Sequence, residues 1–212
     1  MATAKEIMDI ALREEGTKDN GNNLVKYNTE YYGRAVQGAT YLWCCVFVWW
    51  VFFKAGASKL FLKGKKTARC TVLRDSMKHR KVSEPRYGDL VFFNWNGKHD
   101  VANHVGFFIR KVGNNRIETM DGNTSDSNDG NGGCVMRRIR YTSCVDCYIR
   151  PEYDEEEPVN EIPAEEKIYV VKKGDSLSKI AASYKIRWQD IAEENDLKNP
   201  NLIYPGQKLK IP

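Results

Sequence analysis

Apolar residues near the start of the chain recur at the spacing of an amphipathic helix. Ile7, Ile10 and Ala11 share one helical face, and Gly16 follows as a typical helix stop. A second apolar run, over residues 44–55, is almost unbroken. Apolar residues return to helical spacing over residues 70–77. Three helices are therefore predicted, over residues 7–15, 44–55 and 70–77.

The pattern changes beyond Gly88 to short apolar runs separated by turns rich in glycine and asparagine. The predicted strands cover residues 89–93, 104–110, 115–120, 135–141 and 144–150. Helices followed by strands predict an α+β fold, with the amino-terminal helices packed on an antiparallel sheet.

The last 45 residues contain only short segments with helical or strand-like spacing of apolar residues. A short strand over residues 168–171 precedes two short helices over 176–184 and 187–194, and a strand over 207–211 ends the chain. These elements predict a small β-α-α-β domain.

A linker is predicted over residues 151–166, which carry eight acidic residues, three prolines and no basic residue. Such a segment cannot bury a core, and its charges repel one another. We therefore expect three parts: a domain over residues 1–150, the linker, and a domain over residues 167–212. Their formal charges are +9, −8 and +4, so the net charge of +5 conceals two basic domains.

Composition narrows the class of protein. The longest apolar stretch, residues 44–53, is shorter than the roughly 18 residues of a membrane span, so no membrane insertion is expected. The amino terminus lacks the basic and apolar regions of a secretory signal, which favours synthesis in the cytoplasm. In that setting the six cysteines are expected to be reduced, with Cys44 at least free.

Cys44 is the candidate nucleophile because it begins an apolar helix, where the dipole favours a thiolate and the backbone N–H groups can stabilise an oxyanion. His104 begins a predicted strand, and Asp121 ends the next one, so adjacent strands could bring a base and its orienting acid together. The residues alone leave other interpretations open: a cysteine at such a position is often core, Cys45 is a rival nucleophile, and His99 is a rival base.

The chain resembles the CHAP family of cysteine, histidine-dependent amidohydrolases and peptidases over roughly residues 4–150. The matching motifs are Asn-Thr-Glu-Tyr-Tyr-Gly from Asn28, Trp-Cys at Cys44, Gly-Asp-Leu-Val-Phe-Phe from Gly88, Asn-His-Val-Gly around His104, and Asp-Gly-Asn-Thr-Ser from Asp121.

The resemblance implies a papain-like fold and a set of roles. Cys44 would be the nucleophile, His104 the general base and Asp121 the orienting acid, with Asn123 as a helper. Tyr32 would lie near the oxyanion, although a packed surface aromatic is an equal interpretation. The chain departs from the family in having Asp121 where glutamate is frequent and Cys45 where alanine is typical.

The last domain resembles the LysM family, through Tyr-Val-Val-Lys-Lys-Gly-Asp-Ser-Leu from Tyr169 and Ile-Tyr-Pro-Gly-Gln from Ile203. Such modules bind glycans that contain N-acetylglucosamine in a shallow groove between two loops. The resemblance places the groove at Gly174, Asp175, Ser176, Leu177, Ile203, Tyr204 and Pro205. A turn, a helix cap and partly buried core positions would account for several of these residues equally well.

No metal or cofactor is expected. Cys144 and Cys147 are three apart in a predicted strand, where they face opposite sides, and this disfavours zinc. Asp126 and Asp129 do not have the spacing of a calcium loop. The lysines form no periodic stripe, so anionic wall polymers are expected as partners rather than nucleic acid.

Together these patterns predict a peptidoglycan hydrolase, of the kind that phages or prophages use as endolysins and that acts at the cell wall after release. The cleaved bond is expected to be that of an N-acetylmuramoyl-L-alanine amidase, with an endopeptidase of stem or cross-bridge peptides as the alternative. A non-catalytic glycan-binding protein is the alternative from another class.

Overall fold

A computed structural model describes residues 2–95, 101–113, 115–128, 130–154, 167–184 and 186–211. These residues form two compact units, the first mainly from residues 2–154 and the second mainly from residues 167–211. His99, Asp129 and most of the predicted linker lie outside the described residues.

Four α-helices belong to the first unit: α1 (Ala4–Arg13), α2 (Lys26–Tyr32), α3 (Cys44–Lys54) and α4 (Cys70–Ser76). Short 3-10 turns lie at Ser58–Leu60, Leu62–Gly64, Lys78–Arg80 and Thr142–Cys144. A capping box starts α1, where the Thr3 hydroxyl accepts from the amide of Glu6 and the Glu6 carboxylate accepts from the amide of Thr3. The three predicted helices are confirmed, and α2 is an addition.

The central helix α3 is buried along almost its whole length, from Cys44 to Phe52. It can approach the sheet closely because residue 122 is glycine: a Cβ there would lie 2.6 Å from the Cβ of Phe47. The hydrophobic core of this unit therefore surrounds α3 and fixes the position of its first residue.

The first unit also contains a six-stranded sheet in the order β1-β6-β2-β3-β4-β5. Its strands are β1 (Lys81–Val82), β2 (Leu90–Phe93), β3 (His104–Val112), β4 (Arg116–Thr124), β5 (Cys134–Tyr141) and β6 (Val145–Ile149). The pairs β1–β6, β2–β6 and β2–β3 are antiparallel, which confirms the α+β fold.

The predicted end of β4 was wrong. The strand expected to end at residue 120 continues to Thr124, so Asp121 lies within β4 rather than at its end. The glycine and asparagine that follow Asp121 suggested a turn, but burial of this stretch keeps it in the sheet.

The first unit extends past the predicted domain boundary at residue 150. The Tyr153 hydroxyl donates to the carbonyl of Gly88 over 2.6 Å, and its ring stacks on Phe52. The amide of Asp154 donates to the carbonyl of Ala2. Residues 151–154 therefore pack on the first unit.

The second unit has the predicted β-α-α-β order: β7 (Lys167–Val170), α5 (Leu177–Ser183), α6 (Trp188–Glu194) and β8 (Lys208–Ile211). The two strands pair antiparallel, with Tyr169 opposite Leu209. A small core of its own, formed by buried residues such as Ile180 and Ile191, holds the helices against this ribbon.

None of the six cysteines, all of which lie among the described residues, forms a disulfide. In the described part of the chain no helix has both the length and the apolar character required to cross a bilayer.

Candidate active site and glycan groove

Cys44 is the first residue of α3, and only 5% of it is exposed. The amide of Phe47 donates to the carbonyl of Trp43 over 2.8 Å and closes the first helical turn. The N–H groups of Cys44, Cys45 and Val46 precede that bond and have no acceptor within the helix. The thiol therefore lies at the positive end of the helix dipole, beside N–H groups that can stabilise an anion.

His104 is the first residue of β3 and pairs with Phe93 on β2. Its Nε2 atom lies 3.2 Å from Oδ2 of Asp121, and both side chains are fully buried. The rings of Phe93 and Trp95 lie 5.9 and 6.0 Å from the imidazole. The neighbouring strands thus bring the predicted base and acid together in an aromatic enclosure.

The charges of this pair depend on each other. Burial disfavours the charged imidazolium, but Cys44 and Asp121 outweigh it and raise the pKa of His104 to about 9. Burial also opposes ionisation of Asp121, yet Arg140 and His104 hold the pKa of that carboxyl well below its usual range. Asp121 is therefore a carboxylate that stabilises positive charge on His104, which is the charge that a base acquires with a proton.

Arg140 on β5 is the residue that keeps Asp121 ionised. Its Nη2 atom lies 2.6 Å from Oδ2 of Asp121 and 3.1 Å from the Thr124 hydroxyl, and its Nε atom lies 3.2 Å from the same carboxylate oxygen. Its guanidinium stacks over the rings of Phe93 and Trp95. The sequence analysis missed Arg140, although the alternation of arginine with exposed Ile139 indicates that arginine faces inward on this strand.

The thiol of Cys44 contacts a second thiol. Its Sγ atom lies 3.6 Å from Sγ of Cys70, the first residue of α4. The hydrogen bond with Cys70, together with burial, raises the pKa of Cys44 well above its usual value, while His104 acts in the opposite sense. Nδ1 of His104 has no hydrogen-bond partner among the described residues. Because Nε2 is held by Asp121, Nδ1 is the ring nitrogen that remains to take a proton from Cys44.

Gly106 leaves the space that Asp121 occupies. A Cβ at residue 106 would overlap Oδ1 of Asp121 and lie 3.0 Å from the carbonyl oxygen of Met120. Glycine is therefore required on β3 for the carboxylate to lie between the strands and reach His104.

Two further predicted residues are not joined to the thiol. Asn123 is buried, and its Oδ1 atom accepts from the amide of Gly133, which braces the chain after β4. Tyr32 lies on α2 with 37% of it exposed, and its ring packs edge-on against Tyr31 and Tyr41. Within the described residues, no hydrogen bond or ring contact links either side chain to the thiol–imidazole pair.

In the second unit two loops lie side by side at one end of the β7–β8 ribbon. The amide of Val171 donates to the carbonyl of Gln207, and the amide of Gly206 donates back to the carbonyl of Val171, at 2.9 and 2.8 Å. The residues that follow Val171 therefore lie next to those that precede Gln207, as a groove between the two loops requires.

Some of the predicted groove residues stabilise the loops, and others are exposed to solvent. Asp175 accepts from the Tyr169 hydroxyl and the amide of Lys172, which fixes the turn at Gly174. Ser176 caps α5 by accepting from the amide of Lys179.

Two of the predicted groove residues in the second loop face solvent. Tyr204 is 59% exposed, and Pro205 is exposed beside it. Ile203 is half-buried against the core, and Leu177 is buried in it. Leu177 therefore acts as a core residue beneath the groove.

Comparison with known protein families identifies both units. Residues 36–123 match the CHAP domain, and residues 169–212 match the LysM domain. The chain contains a CHAP domain followed by a LysM domain. The match to CHAP includes Cys44, His104, Asp121 and Asn123, whereas Tyr32 and Arg140 lie outside it.

Curated relatives match over short stretches. An N-acetylmuramoyl-L-alanine amidase sle1 of Staphylococcus saprophyticus is 60% identical over 43 residues, which are 20% of this chain and 13% of that protein. A cortical fragment-lytic enzyme of Bacillus subtilis is 48% identical over 46 residues, which are 22% of this chain and 11% of that protein. An uncharacterized protein of Deinococcus radiodurans is 54% identical over 48 residues, 21% of this chain and 19% of that protein.

The chain thus spans less than a fifth of the length of these relatives. Each match is also shorter than the CHAP match, so it does not by itself show what the candidate active site does. The described residues of both domains contain no cluster of three or more side chains suited to a metal ion.

Proposed function

We propose that this protein is a peptidoglycan hydrolase that cleaves an amide bond with Cys44 as nucleophile, His104 as general base and Asp121 as orienting acid. The observation that carries the proposal is the buried His104–Asp121 contact next to a cysteine at the start of a helix, within a CHAP domain.

The reaction begins when His104 takes the proton of Cys44, and the thiolate attacks the carbonyl carbon of the amide. The N–H groups at the start of α3 donate to the oxyanion that forms. His104 returns the proton to the departing amine as the C–N bond breaks and leaves a thioester. Water activated by His104 then hydrolyses the thioester and regenerates the thiol.

The LysM domain supports peptidoglycan as the substrate. Its groove, formed around Gly174 and Tyr204, fits a glycan that contains N-acetylglucosamine, and tethering to the polymer raises the local concentration of amide bonds. Stem peptides would then occupy the cleft at Cys44. The basic CHAP domain favours binding to anionic wall polymers as well, an attraction that added salt should weaken.

The names of relatives favour one bond. One relative is named an N-acetylmuramoyl-L-alanine amidase, and another is named a cortical fragment-lytic enzyme. We therefore assign the bond between muramic acid and L-alanine as the site of cleavage.

Clearing of purified cell walls by three proteins tests the proposal. The wild type and the Cys45→Ala variant should reduce turbidity, because the Cys45 thiol donates to the carbonyl of Thr67 rather than to the catalytic pair. Cys44→Ala should bind walls without clearing them. Equal clearing by Cys44→Ala would refute the thiol mechanism, and walls bound but uncleared by all three would indicate a glycan-binding protein.

A further inference from the structure

The CHAP domain holds a second thiol at van der Waals distance from its nucleophile. Cys44 and Cys70 begin two different helices, and their sulfur atoms are 3.6 Å apart. Both residues are buried, at 5% and 7% exposed. A thiol is not needed at residue 70 for the proposed hydrolysis.

The start of α4 is fixed relative to the catalytic strand. Thr71 accepts from the amide of Ala102 over 3.0 Å, and its hydroxyl contacts the carbonyl of Ala102. Ala102 precedes His104 by two residues. Cys70 is thus held beside Cys44 by bonds that also position the base.

A disulfide is within reach of this pair. The sulfur atoms of a disulfide are about 2.05 Å apart, so the two atoms must approach by about 1.5 Å. Small rotations of two side chains at helix starts cover that distance, and the helices themselves can stay in place.

We propose that Cys44 and Cys70 form a reversible disulfide that inactivates the enzyme when a peroxide reaches the cleft. The inference rests on the proposed function only in taking Cys44 as the nucleophile. It assigns Cys70 as the resolving thiol of an oxidative modification site.

The chemistry balances with hydrogen peroxide as oxidant. His104 takes the proton of Cys44, and the thiolate sulfur attacks one peroxide oxygen, so that an S–O bond forms, the O–O bond breaks and water leaves. Sulfur of Cys70 then attacks sulfur of Cys44, the S–O bond breaks, and a second water leaves. Two thiols and one peroxide thus give one disulfide and two waters, and a dithiol reductant reverses the change.

The other cysteines have different surroundings. Cys144 donates to the carbonyl of Tyr141, and Cys147 lies next to Asp146. Cys45 is the rival, because it is the second residue of the same helix and its side chain also interacts with Cys70. Its own thiol donates to the carbonyl of Thr67, away from the catalytic pair.

The test treats the reduced full-length chain with one equivalent of hydrogen peroxide and maps disulfides by mass spectrometry after digestion. Because one tryptic peptide carries both Cys44 and Cys45, the Cys45→Ala variant is mapped as well. A cross-link between the peptides of residues 44 and 70 is expected in the wild type, in Cys45→Ala and in the matched control Cys147→Ala.

Activity on walls provides the second measurement. The three proteins that form the cross-link should lose clearing activity and regain it with dithiothreitol. Cys70→Ala should form no cross-link, and after an excess of peroxide its activity should not return with dithiothreitol, because an unresolved sulfenic acid reacts with a second peroxide to give a sulfinic acid that dithiothreitol does not reduce. A cross-link through Cys45, or oxidation of Cys44 without any cross-link, would overturn the proposal.

The mapping result stands apart from hydrolysis. If the chain forms the cross-link but never clears walls, the proposed function is contradicted and the inference about Cys44 and Cys70 still holds. A chain that clears walls but forms no cross-link contradicts only the switch.

Discussion

Asp121 stabilises two cationic groups through one oxygen atom. Its Oδ2 atom contacts Nε2 of His104 at 3.2 Å and Nη2 of Arg140 at 2.6 Å, with no solvent exposure. Arg140 keeps the carboxylate ionised, and the carboxylate favours the protonated imidazole. Asp121 and Arg140 therefore act together with Cys44 on the proton affinity of His104.

Replacing Asp121 by asparagine should shift the acid limb of the activity profile. The amide removes the negative charge that favours the imidazolium, so the pKa of His104 falls and activity should persist to a pH lower by about 1–3 units. The turnover number should fall too, because the ring loses its orienting acceptor. The measurement is kcat/KM against pH on a soluble muropeptide.

Asp126→Asn is the matched control, because this acid is exposed and pairs with Arg138 on the surface. Its profile should coincide with that of the wild type. An unmoved acid limb in Asp121→Asn would show that the carboxylate does not act on His104.

Arg140→Gln should destabilise the CHAP domain strongly. The change leaves the Asp121 carboxylate buried beside a weaker partner, and breaking a buried ion pair costs about 3–5 kcal/mol. Denaturant unfolding of the full chain measures the loss. Arg137→Gln removes a half-exposed pair with Glu15 and should cost at most about 1 kcal/mol, so equal losses in the two variants would contradict the account.

The proposed active site lies where strands β3 and β4 meet α3. His104 and Gly106 lie on the same face of β3, and Asp121 fills the space that glycine leaves. Gly122 allows Phe47 of α3 to pack against β4, which brings the start of the helix to the imidazole. The geometry thus depends on two small residues that carry no chemistry themselves.

Gly106→Ala should displace Asp121 and lower kcat by about tenfold or more, because the added methyl group overlaps the carboxylate. The fold should survive with a loss of about 1–3 kcal/mol, as is usual for overpacking. Gly130→Ala is the control, since its nearest neighbour, Nε1 of Trp95, is 3.8 Å away. Equal kcat values for the two variants would contradict the proposed packing.

The periodicity of apolar residues was sufficient to predict most of the helices and strands. It predicted α3 and, among the described residues, every strand of four or more residues, including β7, which is mostly exposed. It missed α2, where only Tyr27 and Asn28 are buried, and it ended β4 too early at a stretch rich in small polar residues.

Residues of the proposed active site were predictable from the sequence only where they belong to a recognisable motif. Cys44, His104 and Asp121 stand in recognisable motifs, and the structure brings the last two into contact. Cys70 and Arg140 are contributed by α4 and β5, so their proximity depends on tertiary packing that the local sequence does not encode.

At the scale of the whole molecule, each unit has its own hydrophobic core. Tyr153 and Asp154 still contact the first unit, so a truncation that preserves this unit should follow Asp154. Catalysis and glycan binding should therefore separate when the chain is cut there.

The truncated chain should bind purified walls more weakly and clear them more slowly than the full chain, because it loses the tether. Its kcat/KM on a soluble muropeptide should stay within about twofold of the full-length value, since that substrate gains nothing from tethering. Sedimentation with walls measures the binding. Undiminished wall binding by the truncated chain would refute the role given to the LysM domain.

Mass spectrometry of the products from digested walls tests the central claim most directly. The account predicts glycan strands with free muramic carboxyl groups and peptides with new L-alanine amino termini, both absent from digests with Cys44→Ala. New reducing sugar ends without new amino groups, or the same products from Cys44→Ala, would contradict it.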